Sequence, residues 1–199
     1  MRAEYWSQVK EIDPKDFVFI DEMGVLLGLT RTHARAAPGE RAYSLKPFYP
    51  GAKVSVIGAI TISKVLAVMT INDSMDASAF KVYVSQCLVP QLWKGAVVVM
   101  HNLPAHKVER KCAGGIFPRT PSSAIAPLIE AVGARVLYLS PYSPEFNPIE
   151  HWWSQLKAFL RQFSPSTSQM VDTLIKIAMN LMNPNHLRNW FAHCCYCAS

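Results

Sequence analysis

The sequence predicts an α/β fold in which helices flank a mixed β-sheet. Three short runs at 17–20, 96–100 and 135–139 are rich in Val, Ile, Leu and aromatic residues, as buried strands are. Two further β-rich runs are joined by a short turn near Ser63, which is the pattern of an antiparallel hairpin. The Val-rich run at 96–100 suits a central parallel strand, so one sheet with both kinds of neighbour is expected.

The elements follow from hydrophobic periodicity and from residues that start or end helices. Asp76 is predicted to cap the helix after the hairpin, and Pro184 suits the first position of the last helix. In chain order we predict a helix at 4–12, strands at 17–20, 53–62 and 64–71, a helix at 77–93, a strand at 96–100, a short helix at 126–132, a strand at 135–139, and helices at 149–163, 169–182 and 184–191.

The most informative stretch is 139–157, LSPYSPEFNPIEHWWSQLK. Proline fixes φ and removes a backbone donor, and this stretch contains Pro141, Pro144 and Pro148. It is therefore predicted to begin as a stiff loop between a strand and a helix. Glu150 falls in the first turn of that helix. A rigid loop of this kind aims an acid at a site.

A second pair of acids, Asp21 and Glu22, follows the first predicted strand. Carboxylates at the end of a buried strand are placed where a metal site can be built, although two solvated acids at a turn would give the same pattern. Glu22 is the weaker candidate, because successive strand residues point to opposite faces.

The charge balance favours a polyanionic partner. The chain has 199 residues, of which 50% are hydrophobic and 17% charged, and its net charge is +6. These values predict one globular domain that attracts phosphates, although a merely basic soluble protein has the same balance. The candidate DNA contacts, each of which is also an ordinary solvated cation, are Arg31, Arg35, Lys107, Lys157 and Arg161.

Composition also argues against secretion and membrane insertion. The N-terminus is charged, and no apolar run approaches the roughly 20 residues that a membrane span needs. The five cysteines are an odd number, and three lie near the C-terminus. This argues against a disulfide framework, and paired zinc-ligand spacing is absent. We therefore predict a cytoplasmic protein and assign no role to the C-terminal cysteines.

The block SPYSPEFNPIEHWW, with FIDEMG upstream and VVVMHNLPAHK between them, resembles the catalytic domain of bacterial insertion-sequence transposases of the mariner superfamily. The resemblance extends from about Tyr5 to the C-terminus. It implies a ribonuclease-H-like fold that cleaves and joins double-stranded transposon-end DNA through two divalent metal ions. It assigns Asp21 as the first acid and Glu150 as the third, both as ligands of Mg2+ or Mn2+.

The resemblance places the family's second Asp at position 101, where this chain has His101. A bridging carboxylate neutralises two hard cations and sets their separation. A neutral imidazole offers one nitrogen and no negative charge, although Mn2+ tolerates nitrogen better than Mg2+ does. We therefore expect weakened metal binding and an impaired or inactive enzyme.

Two further departures concern the organisation of the chain. Residues 110–125 are predicted to be an irregular inserted loop that is unusual in a compact domain. No helix-turn-helix precedes Tyr5, so the sequence predicts a single catalytic domain over 1–199, which would act as a homodimer or with a separately made N-terminal half. The alternatives are a non-enzymatic DNA-binding or regulatory fragment and an unrelated ribonuclease-H-like nuclease.

Overall fold

A computed structural model describes residues 2–43, 52–101, 122–140 and 143–197 of the chain. Within these ranges the strands are β1 Phe17–Leu26, β2 Lys53–Ile60, β3 Val65–Ile71, β4 Val97–Met100 and β5 Arg135–Tyr138. The helices are α1 Arg2–Val9, α2 Ala77–Val82, α3 Ser122–Glu130, α4 Ile149–Phe163, α5 Ser168–Asn180 and α6 Pro184–His193.

The strands form one mixed sheet in the order β3-β2-β1-β4-β5. The strand β2 runs antiparallel to both of its neighbours, β1 and β3, whereas β4 and β5 run parallel to β1. The parallel pairs need crossover connections, which the helices between these strands provide. This arrangement confirms the predicted α/β class and the mixed sheet.

Helices cover both faces of the sheet, so β1 alternates between two cores. Phe17 and Phe19 pack in the first core, which contains residues of α1, α4, α5 and α6. Val18 and Ile20 pack in the second core, which contains residues of α2 and α3. Burial on both faces explains why this segment is continuously apolar rather than alternating.

The first strand is longer than predicted. Its pairing with β4 ends where Ile20 lies opposite Met100, but its pairing with β2 continues from Asp21 opposite Gly58 to Leu26 opposite Lys53. The predicted end at residue 20 is therefore wrong on the β2 side, because two acids interrupt the apolar run without interrupting the backbone ladder. Asp21 thus lies on a paired strand, one residue beyond the β4 contact.

Two predicted helical boundaries also change. The helix predicted at 77–93 continues after α2 as a π-helical segment, Tyr83–Leu88, and a short 3-10 turn, Val89–Gln91. The helix before β5 begins at Ser122 and contains Pro127, so the end of the predicted loop at 110–125 is helical. The rest of that loop lies outside the described residues.

In the described parts of the chain, no helix has the length and apolar character needed to cross a membrane.

Candidate active site

The end of β4 places an imidazole against a carboxylate. Ile20 and Met100 are opposite each other on parallel strands, so the next residues, Asp21 and His101, emerge side by side. His101 Nδ1 lies 3.3 Å from Asp21 Oδ1, and the exposed fractions of the two side chains are 24% and 11%. This half-buried pair lies at the edge of the sheet where β4 stops.

Glu150 reaches the same pair from the start of α4. The 3-10 turn Pro144–Phe146 leads into the helix, and the Glu150 amide donates to the Asn147 carbonyl at 3.1 Å. Burial, the charge of Asp21 and a side-chain hydrogen bond with Asp21 raise the pKa of Glu150, so the two carboxyl groups lie close together. The structure therefore brings together Asp21, His101 and Glu150, the three residues singled out from the sequence.

The indole of Trp153 fixes the other oxygen of Asp21. Trp153 Nε1 donates to Asp21 Oδ2 at 3.1 Å, while the ring itself is buried in the first core. Sequence analysis did not identify this role. A signal was present, because a buried tryptophan N–H usually finds an acceptor, and Trp153 lies three residues after Glu150.

A glycine opposite Asp21 makes this approach possible. A Cβ built on Gly58 would lie 2.6 Å from a ring atom of Trp152 and 2.7 Å from one of Trp153. The two indoles stack with their centroids 4.5 Å apart. Because Gly58 has no side chain, α4 can lie directly on the sheet beside the acid.

Glu22 points away from this group. Successive side chains on β1 point to opposite faces, so Glu22 faces away from Asp21. Burial and, to a smaller extent, the charge of Asp21 raise the pKa of Glu22, while the charges of His101 and Lys53 lower it. A Cβ on Gly24 would collide with the end of the Lys53 side chain, so that chain lies across β1 near Glu22. Glu22 thus contributes charge to the site from the other face of the sheet.

The electrostatics of the site follow from crowding three acids around one imidazole. The hydrogen bond that the His101 ring donates to Asp21 raises the pKa of His101, as do the charges of Asp21, Glu150 and Glu22, against the opposing effect of burial. Burial and the nearby charge of Asp21 raise the pKa of Glu150. A hydrogen bond between two carboxyl groups needs one proton, and the raised pKa of Glu150 favours holding it there.

The raised pKa values predict that stability falls as pH rises through the folded pKa of His101. Both His101 and Glu150 bind protons more tightly in the fold than in the unfolded chain. The contribution of His101 is fully present below its unfolded pKa, about 6.5, and is lost as pH rises through its folded pKa. The contribution of Glu150 is fully present only below its own unfolded pKa, about 4.3, and is lost as pH rises through its own folded pKa. In Asp21→Asn the pKa of His101 should fall and the stability profile should flatten. NMR titration of the His101 ring measures the pKa directly.

His151 is the internal control for that titration. Burial lowers its pKa, as does the charge of His193, so Asp21→Asn should leave its titration unchanged. Equal shifts of His101 and His151, or no shift of His101, would contradict the assignment of Asp21 as the partner of His101.

Of the candidate DNA contacts, two lie on the helix of Glu150 and two lie in the segment after β1. Lys157 and Arg161 follow Glu150 by seven and eleven positions on α4, so the three form one stripe on the helix. The charge of Lys157 lowers the pKa of Glu150. Arg31 and Arg35 are exposed in the segment after β1, and Lys107 lies outside the described residues.

The donor set does not fit a two-ion centre. Within the described residues, no three His, Cys, Asp or Glu side chains form a group that could hold a metal ion. Asp21 contacts His101 and Trp153 and shares a bond with Glu150, so its oxygens are engaged by protein groups. The imidazole also offers no bridging oxygen, which two closely spaced cations require.

The fold is shared with solved transposase structures. The chain superposes on the Mos1 transposase paired-end complex with left transposon end with a TM-score of 0.69 and 14% identity, covering 95% of this chain and 54% of that chain. For the mariner Mos1 paired end complex with Mg the TM-score is 0.69 and the identity 15%, covering 96% of this chain and 55% of that chain. For the catalytic domain of Mos1 mariner transposase the TM-score is 0.57 and the identity 12%, covering 95% of this chain and 80% of that chain.

These likenesses, at low identity, show that the chain has the ribonuclease-H-like fold of the Mos1 catalytic domain. The chain spans about half the length of the transposase chains in the paired-end complexes. A family model described as DDE superfamily endonuclease matches residues 16–171. The chain therefore belongs to the DDE superfamily of endonucleases. Among curated proteins, no sequence is similar enough to count as a relative.

Proposed function

We propose that this chain is the catalytic domain of an insertion-sequence transposase of the mariner superfamily in which DNA cleavage and strand transfer are impaired. The observation that carries the proposal is the 3.3 Å contact between His101 Nδ1 and Asp21 Oδ1. It puts an imidazole beside the first acid, where the resemblance expects the second acid. The family motif and the contact with Asp21 both support the assignment of His101 to the place of the second acid.

The reaction of an intact site is phosphoryl transfer, with water and then a DNA 3'-hydroxyl as the nucleophile. Divalent cations such as Mg2+ or Mn2+ would activate the nucleophile and neutralise the phosphate in such a site. Here Asp21 and Glu150 supply carboxylate oxygens, and Trp153 holds the orientation of Asp21. The His101 imidazole brings a positive charge when it is protonated, which opposes the binding of a cation.

Double-stranded DNA is the proposed partner. The net charge is +6, and on α4 the cations of Lys157 and Arg161 continue the stripe that begins at Glu150. Cations in line with the acid suit a DNA backbone that runs along the helix away from the scissile phosphate. Mos1 transposase forms a paired-end complex and a strand transfer complex, which supports assembly on DNA. We propose that this chain assembles there as a homodimer or with a separate N-terminal half. The proposed location of the protein is the cytoplasm.

The test is a DNA binding and nicking assay of the purified protein with Mg2+ and with Mn2+ on an element-end duplex. We expect binding that weakens steeply with salt, because phosphate contacts release counterions, and no nicking with Mg2+. Asp21→Ala serves as the control for contaminating nucleases. Mg2+-dependent nicking that disappears in Asp21→Ala would contradict the proposed impairment.

A second candidate function is a non-enzymatic DNA-binding or regulatory fragment that interferes with an intact transposase by forming mixed complexes. The engaged oxygens of Asp21 favour it. The two functions differ in what a single reversion restores. An impaired enzyme should regain nicking when His101 is replaced by Asp, whereas a fragment whose only task is binding should not.

A further inference from the structure

We infer that Tyr196, backed by Tyr5, is a positioning residue that fixes the separation of Asp21 and Glu150. Tyr196 packs between the strand that carries one acid and the loop that carries the other. The inference rests on the proposed function in one respect only, namely that the spacing of these two acids matters for metal binding.

The first contact of Tyr196 is with the loop that leads into α4. Its hydroxyl donates to the Phe146 carbonyl at 2.7 Å. The amide four residues later, that of Glu150, donates to the Asn147 carbonyl. The Tyr196 hydroxyl therefore satisfies a backbone acceptor four residues before the acid.

The second contact is with β1. The ring centroid of Tyr196 lies 4.7 Å from that of Phe19 and 5.1 Å from that of Phe17. Phe19 lies two residues before Asp21 and on the same face of the strand. One aromatic side chain thus links the strand of Asp21 with the loop of Glu150.

Tyr5 completes a chain of two hydroxyl groups. Its oxygen lies 2.5 Å from that of Tyr196. Each hydroxyl has one proton, and that of Tyr196 goes to Phe146, so Tyr5 donates to Tyr196. The Tyr5 ring also stacks on Phe146, with centroids 6.0 Å apart and planes 3° apart. Both phenols are buried, which raises the pKa of Tyr5 to about 12 and keeps its hydroxyl a donor.

The two hydroxyls act in series, and this gives the inference a distinctive signature. Without the Tyr196 hydroxyl, the Tyr5 hydroxyl has no route to the Phe146 carbonyl. The double variant with Phe at both positions should therefore loosen the loop no more than Tyr196→Phe alone. Two independent hydroxyls would instead give effects that multiply.

Native-state amide hydrogen exchange tests the positioning role without any metal. The probes are the amides of Asn147, which donates to Pro144 at 2.9 Å, and Glu150, which donates to Asn147 at 3.1 Å. Tyr196→Phe should speed their exchange about fivefold, the effect of losing one net buried hydrogen bond. The Leu139 amide, bonded to Met100 in the sheet, reports any global loss of stability.

Tyr83→Phe is the matched control. Tyr83 is also buried, its hydroxyl donates to a backbone carbonyl, that of Ala67, at 3.3 Å, and it belongs to the second core on the other face of the sheet. The variant Tyr83→Phe should leave the exchange rates of the Asn147 and Glu150 amides unchanged relative to that of the Leu139 amide. If Tyr196→Phe behaves like Tyr83→Phe, or if the double variant shows multiplied effects, the inference is overturned.

A second readout connects the positioning to the site. In a His101→Asp background, Tyr196→Phe should weaken Mn2+ binding by about tenfold, as loss of a residue that orients a ligand does, while Tyr83→Phe should not. Unchanged Mn2+ affinity would overturn the link between this tyrosine and the acids. If the His101→Asp protein binds no Mn2+, the proposed function fails, and amide exchange still decides whether Tyr196 holds the loop.

Discussion

Replacing His101 with Asp is expected to tighten Mn2+ binding by more than the roughly 10- to 100-fold that loss of a supporting residue around a metal site costs. The substitution removes a group whose pKa is raised by the surrounding acids and adds a carboxylate beside Asp21. A carboxylate contributes both oxygen ligands and negative charge, which hard divalent cations favour. Calorimetric titration with Mn2+ and with Mg2+ measures the change.

His101→Asn is the matched control for that substitution. Asn has nearly the size of Asp and also removes the imidazole, but it adds no charge. The variant His101→Asn should gain only the small increase in Mn2+ affinity that comes from removing the imidazole. Equal Mn2+ affinities for the Asp and Asn variants would mean that the missing carboxylate is not what limits metal binding here.

Gly58→Ala is expected to lower the free energy of unfolding by about 3 kcal/mol, the upper part of the usual range for overpacking a core. The added methyl group would lie 2.6 and 2.7 Å from ring atoms of Trp152 and Trp153. Both indoles are buried in the first core, so α4 must shift to relieve the contact. Urea unfolding measures the loss, and the shift should also lengthen the Trp153 bond to Asp21.

Gly24→Ala separates this steric effect from the general effect of removing a glycine from a strand. A Cβ at Gly24 also meets a neighbour, but that neighbour is the end of the Lys53 side chain, which is exposed and has other rotamers. The variant should therefore remain within about 0.5 kcal/mol of the natural protein. Similar losses of stability in the two variants would contradict the account of Gly58.

Much of the architecture could be predicted because the sequence marks it locally. Apolar runs revealed the parallel strands, and three prolines followed by a periodic apolar stripe revealed α4 with Glu150 in its first turn. The extension of β1 past Asp21 could not be seen, because backbone pairing with β2 depends on register rather than on hydrophobicity. The start of α3 could not be seen either, because the helix was predicted from residue 126 whereas α3 begins at Ser122.

In the site too, local sequence patterns marked some residues, whereas contacts between residues distant in sequence could not be predicted. Asp21 and Glu150 were identified because a strand and a helix start are recognisable in sequence and the family motif joins them. The Trp153 bond to Asp21 spans 132 residues, and the contact between Tyr5 and Tyr196 spans 191. Contacts at such separation arise from the packing of helices on the sheet, which no local pattern encodes.

In the proposed function, His101 at the position of the second acid is what impairs DNA cleavage. The most direct measurement compares nicking of a DNA duplex by the natural protein, His101→Asp, and His101→Asp combined with Asp21→Ala, each with Mg2+ and Mn2+. We expect nicking by His101→Asp alone, at least with Mn2+, and none when Asp21 is also replaced. A His101→Asp protein that is folded and binds Mn2+ but leaves the duplex intact would contradict it.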